Sequence, residues 1–351
     1  MRVKDRRRQL LKSLSKAWVV QRLKRIDLSA VPWWLGPRVS TASRYQHALG
    51  VGRLSLLVPG GTEHDQLLLT AAAVLHDAGN GPFPHISDQL MEEMLGFRHE
   101  GAVRFAFENS PLQDSSVLEE YGLSLEEVAS VIKGGHRLSP LMNGQPDLDN
   151  TDNIHRFITT LPGRPLGEPS YQPEEIAASM SLDTARVGLC EDLRGRWRKD
   201  WKKAYCYVWE DRLNMICWTM LGRALRLMRE ELTPRFFLMT NREAFQLIRL
   251  KLPRLASGLR NKEFHIVLDR SYSMLKGEAR KLPDPATLRQ VEGKLCKDAG
   301  IEDWSLGLTV DQPLTRGKPD HWRVYLAVHG GQEEPKKILE DMLSSSVPFQ
   351  H

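Results

Sequence analysis

The chain has 351 residues, 41% hydrophobic and 26% charged, values ordinary for a globular protein that exclude a disordered chain or a fibrous repeat. This length allows one large core with a small appendage, because single cores stop growing beyond roughly 250–300 residues. The formal net charge of +5 gathers in clusters that favour polyanions such as nucleotides, nucleic acid or anionic membrane, although a solvated helix face explains such clusters more often.

In chain order, the first predicted element is a basic N-terminal helix over residues 1–17, with positive charge clustered at 2–12. It lacks the apolar centre of a secretory signal, so the cytoplasm is the expected compartment. "QHALGVGRLSLLV" and "HDQLLLTAAAVLHD" carry apolar residues at i, i+3, i+4 spacing and predict amphipathic helices, as do "HEGAVRFAFEN" and "SLEEVASVIKGGH". Ser124 three residues before Glu127 predicts a capping box. The proline- and glycine-rich stretch 161–172 separates two helical blocks. The second block contains a basic segment at 193–203, then "YCYVWEDRLNMICWTMLGRALRLMREEL", which reads as one long amphipathic helix, and then "NREAFQLIRLKL". After about residue 262 the pattern changes: "EFHIVLD", "WSLGLTV" and "HWRVYLAVHG" predict strands, interleaved with helical "DPATLRQVEGKLCKDAG" and "EPKKILEDMLSS". The expected fold class is mainly α, a helical body over 1–260 with a small α+β C-terminal region over 261–351.

Cys190, Cys206, Cys217 and Cys296 form no CxxC pair, which argues against a zinc ribbon or a disulfide framework. No run of about 18 apolar residues occurs, so no membrane partner is expected.

Two His-Asp dipeptides stand out. His64-Asp65 lies at the polar start of a helix, where capping explains it. His76-Asp77 follows "LTAAAV", which carries both side chains to the dry end of a buried helix. A buried charge needs a partner, and a divalent metal is the strongest available. Gly79, Asn80, Gly81 and Pro82 supply the turn that lets two successive side chains point inward. Further ligands must come from elsewhere. His47, near a helix start, and Asp149, opening a helix after a polar loop, are candidates, though each also reads as an ordinary packed or capping residue. Two histidines and two carboxylates suit manganese, iron, zinc or magnesium with positions left open.

"SRYQHALGV", "HDAGNGPFPH", "RHEGAV" and "DLDNTDNIHRF" occur in this order, and over them the chain resembles the HD-superfamily phosphohydrolases, specifically the deoxynucleoside triphosphate triphosphohydrolase branch. The likeness includes "VVQRLKRIDLS" and "YGLSLEEVASVIKG" and extends to about residue 260. The resemblance implies an HD-domain helical bundle, a divalent metal held by His47, His76, Asp77 and Asp149, and a nucleotide substrate. It implies catalytic roles for His99, Glu100, His85 and Asp88, and substrate contacts from Arg44, Asn80, Asn150, Asn153 and Arg156. The implied reaction is hydrolysis of a (d)NTP at the α-phosphate to nucleoside and triphosphate, in a homo-oligomer.

The likeness fails around the sugar. Asn150 and Asn153 stand where the branch uses lysine and tyrosine, Phe157 where it uses aspartate, and Asp27 where it uses glutamine. Loss of polar partners removes discrimination for a hydroxyl. An HD-domain phosphodiesterase, phosphatase or nuclease, and a nucleotide-sensing protein that binds single-stranded nucleic acid, therefore stand as alternatives. His136 with His99 would suit a second metal; a histidine stabilised by a helix C-terminus explains His136 equally.

Overall fold

Capping chemistry sets where the principal helices begin. The computed structural model describes residues 3–36, 38–112, 114–273, 283–311 and 321–345, so residues 1–2 of the basic segment and parts of the C-terminal region lie outside the described residues. Helix α1 (Val3–Leu14) is followed by α2 (Arg44–Ser55), α3 (Glu63–Leu75), α4 (Asp88–Leu95), α5 (Leu125–Lys133) and α6 (Leu148–Thr160). Ser43, Thr62 and Ser124 open α2, α3 and α5, each paired with Gln46, Asp65 or Glu127 in a reciprocal capping box that satisfies two otherwise orphaned donors. Asp65 of the first His-Asp dipeptide is thus a capping residue, while His64 is half-exposed and faces Glu127 at 3.1 Å.

Helix α3 is the centre of the body. Leu67 to Leu75 are all buried, every one but Thr70 within the largest hydrophobic cluster, with α1, α2 and α5 packed around them. A helix apolar on every side must be enclosed, which is what the alanine-rich run dictates.

The expected long helix from 205 to 232 is two helices, α7 (Glu191–Glu210) and α8 (Arg212–Leu227). Asp211 adopts extended backbone, and its carboxylate accepts the Asn214 N–H at 2.8 Å, capping α8 and ending α7. Helical periodicity runs through this break because both helices bury a face; only the aspartate marks it. Helices α9 (Asn241–Lys251) and α10 (Pro253–Asn261) complete the helical body.

The C-terminal region runs β1 (Phe264–Ser273), α11 (Pro285–Ala299), β2 (Leu306–Asp311), β3 (His321–His329) and α12 (Glu334–Ser345). The sheet order is β1-β3-β2, with β3 antiparallel to both neighbours. The fold is mainly α, with this small sheet against α8. Glu292 on α11 is wholly buried and pairs with Arg223 (2.8 Å) and Arg226 (2.5 Å) of α8, while its Oε1 accepts the Leu308 N–H of β2 at 2.8 Å. Among the described residues no helix is long and apolar enough to cross a membrane.

Candidate metal centre and adjoining cleft

Helix α2 places Arg44 in its first turn and His47 one turn later, both buried. At the end of α3, His76 Nδ1 lies 2.9 Å from the Ala73 carbonyl. A carbonyl only accepts, so Nδ1 carries the proton and Nε2 presents a lone pair. His47 is held the same way: its Nδ1 donates to Asp152 Oδ2 at 2.8 Å. The two Nε2 atoms face each other at 3.1 Å, and Asp149 Oδ1 lies 2.9 Å from that of His47 and 3.6 Å from that of His76. Asp77 Oδ2 lies 3.8 and 3.6 Å from the same nitrogens and is a buried carboxylate oxygen with no hydrogen-bond partner.

Four electron-pair donors directed into one small volume repel one another unless a cation sits among them. The donor set fits a divalent metal ion: two imidazole nitrogens, two carboxylate oxygens and an orphaned Asp77 oxygen. Burial disfavours an imidazolium at His47, but the Asp149 and Asp152 carboxylates against its two nitrogens outweigh burial and raise its pKa to about 9, so a cation bound among these groups would take the place of the Nε2 proton. Burial likewise disfavours ionised Asp77, yet Arg44 and the neighbouring histidines hold it well below the usual carboxylate range.

Asp77 Oδ1 accepts from Arg44 Nη1 at 2.9 Å and from Asn80 Nδ2 at 2.6 Å. Arg44 also reaches His85 Nε2 at 3.0 Å, linking the centre to a second group. There, Asp88 Oδ2 lies 3.3 Å from His85 Nδ1 and 2.8 Å from His99 Nδ1, and His99 Nε2 lies 3.4 Å from Glu100. The Asp88 carboxylate, with Glu100 and Asp77, overcomes the burial of His99 and raises its pKa to about 9. His99 begins a short 3-10 turn, His99–Gly101, ahead of a helix over Val103–Glu108, rather than opening one continuous helix.

The turn between α3 and α4 is tightly determined. Arg22 Nη2 donates to the carbonyls of Ala78 and Asn80, and Asn241 Oδ1 accepts the Phe83 N–H. Phe83 and His85 both take left-handed backbone, φ 53° and 65°, which a non-glycine residue adopts only when its surroundings impose it. Gly79 lies so close to the His99 carbonyl that an added Cβ would stand 2.2 Å from its oxygen.

The remaining residues singled out in the sequence occupy different settings. Asp147, not Asp149, caps α6; Asp149 sits in its first turn, where the exposed N–H groups of the helix favour a carboxylate. Asn150 Nδ2 donates to Asp147 at 3.1 Å, within the cap. Arg156 makes a two-pronged pair with Asp152, both contacts at 2.7 Å, and so braces the carboxylate that holds His47. Helix α2 passes close to this pair at Gly50, where a Cβ would stand 2.0 Å from Asp152 Oδ1. His136 accepts the Leu138 N–H at its own Nδ1 and is not part of the His85, Asp88 and His99 group.

Asn153 lines an apolar cavity of about 140 Å3 beside Arg44 and His85, with Phe157, Tyr205, Trp209 and Trp218. A cleft of about 400 Å3 shares His85, Tyr205, Trp209 and Trp218 with it and runs past Asp88 and Arg98 to Leu288, Thr309 and Val310. The aromatic wall is a feature the motif reading missed. Trp197, Trp201, Tyr205 and Trp209 recur every four residues and share one face of α7, a spacing visible in the sequence. In the basic 193–203 segment of that helix, Arg196 is engaged with Asp192 and Glu175, and Lys203 with the Leu166 carbonyl.

Residues 44–170 match the HD domain family model, so the chain contains an HD domain. Two relatives align over part of it. Deoxynucleoside triphosphate triphosphohydrolase SAMHD1 of Gallus gallus is 32% identical over 129 residues, covering 32% of this chain. The uncharacterized protein YdhJ of Bacillus subtilis is 31% identical over 121 residues, covering 34% of this chain. The chain covers 21% of the length of the first and 35% of the second. The fold is shared with a hypothetical protein from Aquifex aeolicus, with TM-score 0.65 and 14% identity over 94% of this chain and 95% of that one. It is also shared with a phosphohydrolase from Bacteroides thetaiotaomicron, with TM-score 0.59 and 15% identity over 90% and 94% of the two chains.

Proposed function

We propose that this protein is a metal-dependent phosphohydrolase that cleaves a (d)NTP at the α-phosphate, giving nucleoside and triphosphate. The observation that carries this reading is the convergence of His47, His76, Asp77 and Asp149 on one volume, with the Asp88 and His99 pair joined to it through Arg44. A divalent ion, whether manganese, iron, zinc or magnesium, would acidify water and neutralise charge on the phosphoryl oxygens when bound there. The chain's own groups supply the rest. Arg44 offers charge-assisted hydrogen bonds to the phosphoryl group. His99, kept protonated by Asp88, donates a proton to the leaving oxygen, while His85 and Glu100 orient the departing and attacking groups. Asn80 fixes the Asp77 carboxylate, and Asn153 meets the nucleoside in the aromatic cavity beside Phe157 and Tyr205. Arg156 acts through Asp152 rather than on the phosphates, and Asn150 from the cap of α6.

In this reading residues 1–260 form the catalytic body. Residues 261–351 contribute an outer wall of the cleft through Leu288, Thr309 and Val310. The nucleotide is the primary partner, in the cytoplasm and within a homo-oligomer. The name of the SAMHD1 relative supports the triphosphohydrolase reaction, whereas the apolar wall at Phe157 supports relaxed recognition of the sugar. The test is product analysis of a panel of dNTPs and NTPs with manganese or magnesium. Release of intact triphosphate is expected; release of phosphate, pyrophosphate or no product from every member would overturn the assignment.

His99→Ala is expected to retain bound metal and lose about 10²–10⁴-fold in turnover, the range for a general acid. Because a protonated His99 is the acid, activity should fall as pH rises through its titration. Asp88→Asn removes the charge that keeps the proton on, so the alkaline limb should move to lower pH. A limb that stays in place in Asp88→Asn would remove His99 from that role.

A further inference from the structure

We propose a second anion-binding site, specific for a small phosphate-rich ligand, in the pocket between α1 and the end of α2. Lys4, Arg7, Arg8 and Arg53 line a cavity of about 300 Å3 together with Leu54, Leu56, Leu57 and one acid, Glu174. Lys4, Arg7 and Arg8 fall at i, i+3, i+4 on one face of α1, a spacing that brings like charges together and destabilises an isolated helix.

Arg7 is the anchor of the site. It is 97% buried, and its hydrogen bonds go to neutral acceptors: Thr70 Oγ1 at 3.1 Å, Gln66 Oε1 at 3.4 Å and the Ser55 carbonyl. These use three of the five N–H groups of a guanidinium and supply no counter-charge. Among the described residues, Lys4, Arg8 and Arg53 make no ion pair with any carboxylate. Four cations around one concavity, one of them buried, form an electrostatic arrangement that an anion completes.

A half-open concavity of this size fits a nucleoside polyphosphate or an oligophosphate, which places several charges within one pocket. The site is separate from the HD centre. Arg53 stands on the same helix as Arg44, roughly 13 Å further along its axis at 1.5 Å per residue. The inference does not depend on which reaction the HD centre performs.

The test is isothermal titration of the full chain, stripped of metal, with inorganic tripolyphosphate. Arg8→Glu/Arg53→Glu alters exposed side chains and is expected to weaken binding by more than about tenfold, with metal uptake unchanged. Arg44→Ala, which alters the HD centre, is expected to retain this binding. Binding that survives when Arg8→Glu/Arg53→Glu is combined with Arg44→Ala, or that disappears in Arg44→Ala alone, would overturn the proposal. A single-stranded DNA oligomer that binds more tightly than tripolyphosphate and is lost in Arg8→Glu/Arg53→Glu would overturn the small-ligand assignment in favour of a nucleic-acid surface.

Discussion

Asp77→Ala is expected to abolish both bound metal and turnover. The substitution removes the orphaned Oδ2 from the donor set and leaves Arg44 and Asn80 without the carboxylate oxygen they share. Loss of a mere supporting partner costs about 10–100-fold in metal affinity, and loss of a ligand should exceed that. His76→Ala should behave in the same way. His64→Ala is the matched control, since its imidazole is half-exposed and, among the described residues, meets only Glu127. Metal analysis of the purified variants decides the matter. Equal metal content in Asp77→Ala, His76→Ala and His64→Ala would sink the ligand assignment, whatever the rates show.

The second large effect lies far from the metal centre. Glu292→Ala is expected to cost about 3–5 kcal/mol in denaturant unfolding, because it leaves Arg226 buried without a counter-charge and Arg223 with only the exposed Asp303 carboxylate at 3.7 Å. The penalty belongs to the stranded cations. Replacing all three residues by apolar ones of similar volume should therefore recover most of it. Burial opposes ionisation of Glu292, but Arg226 and Arg223 overcome it and hold its pKa below the usual value. A depressed carboxylate contributes stability above its unfolded pKa of about 4.3, and that contribution is lost as pH falls through the folded value. Acid should thus destabilise the native chain more steeply than Glu292→Ala. A cost under about 1 kcal/mol for Glu292→Ala would mean that the two arginines find other partners.

Much of this architecture was legible in the chain because periodicity and capping are local. The alanine-rich α3, the Ser124 box and the alternation of strands and helices after residue 262 all announce themselves within a few residues. The break at Asp211 did not, since an aspartate is equally at home on the outside of a continuous helix. At the candidate site, burial of the His76-Asp77 dipeptide follows from "LTAAAV", but the pairing of His47 with Asp149 and Asp152 spans more than 100 positions. No local pattern encodes that distance; the ordered motifs of a known superfamily pointed to it. Conversely, Asn150 and Arg156 sit at motif positions yet engage Asp147 and Asp152, because a short amide beside a cap and an arginine one turn from an aspartate satisfy themselves locally.

The left-handed backbone at His85 has an implication for how this chain can change. A β-carbon in that conformation costs on the order of 1 kcal/mol, and glycine there costs almost nothing. Selection for robustness alone would thus draw position 85 toward glycine, at the expense of the imidazole that meets Arg44 and Asp88. The histidine marks a point where durability and the proposed chemistry pull in opposite directions, and a thermostabilised lineage that drops it would keep the fold while losing the link between Arg44 and Asp88.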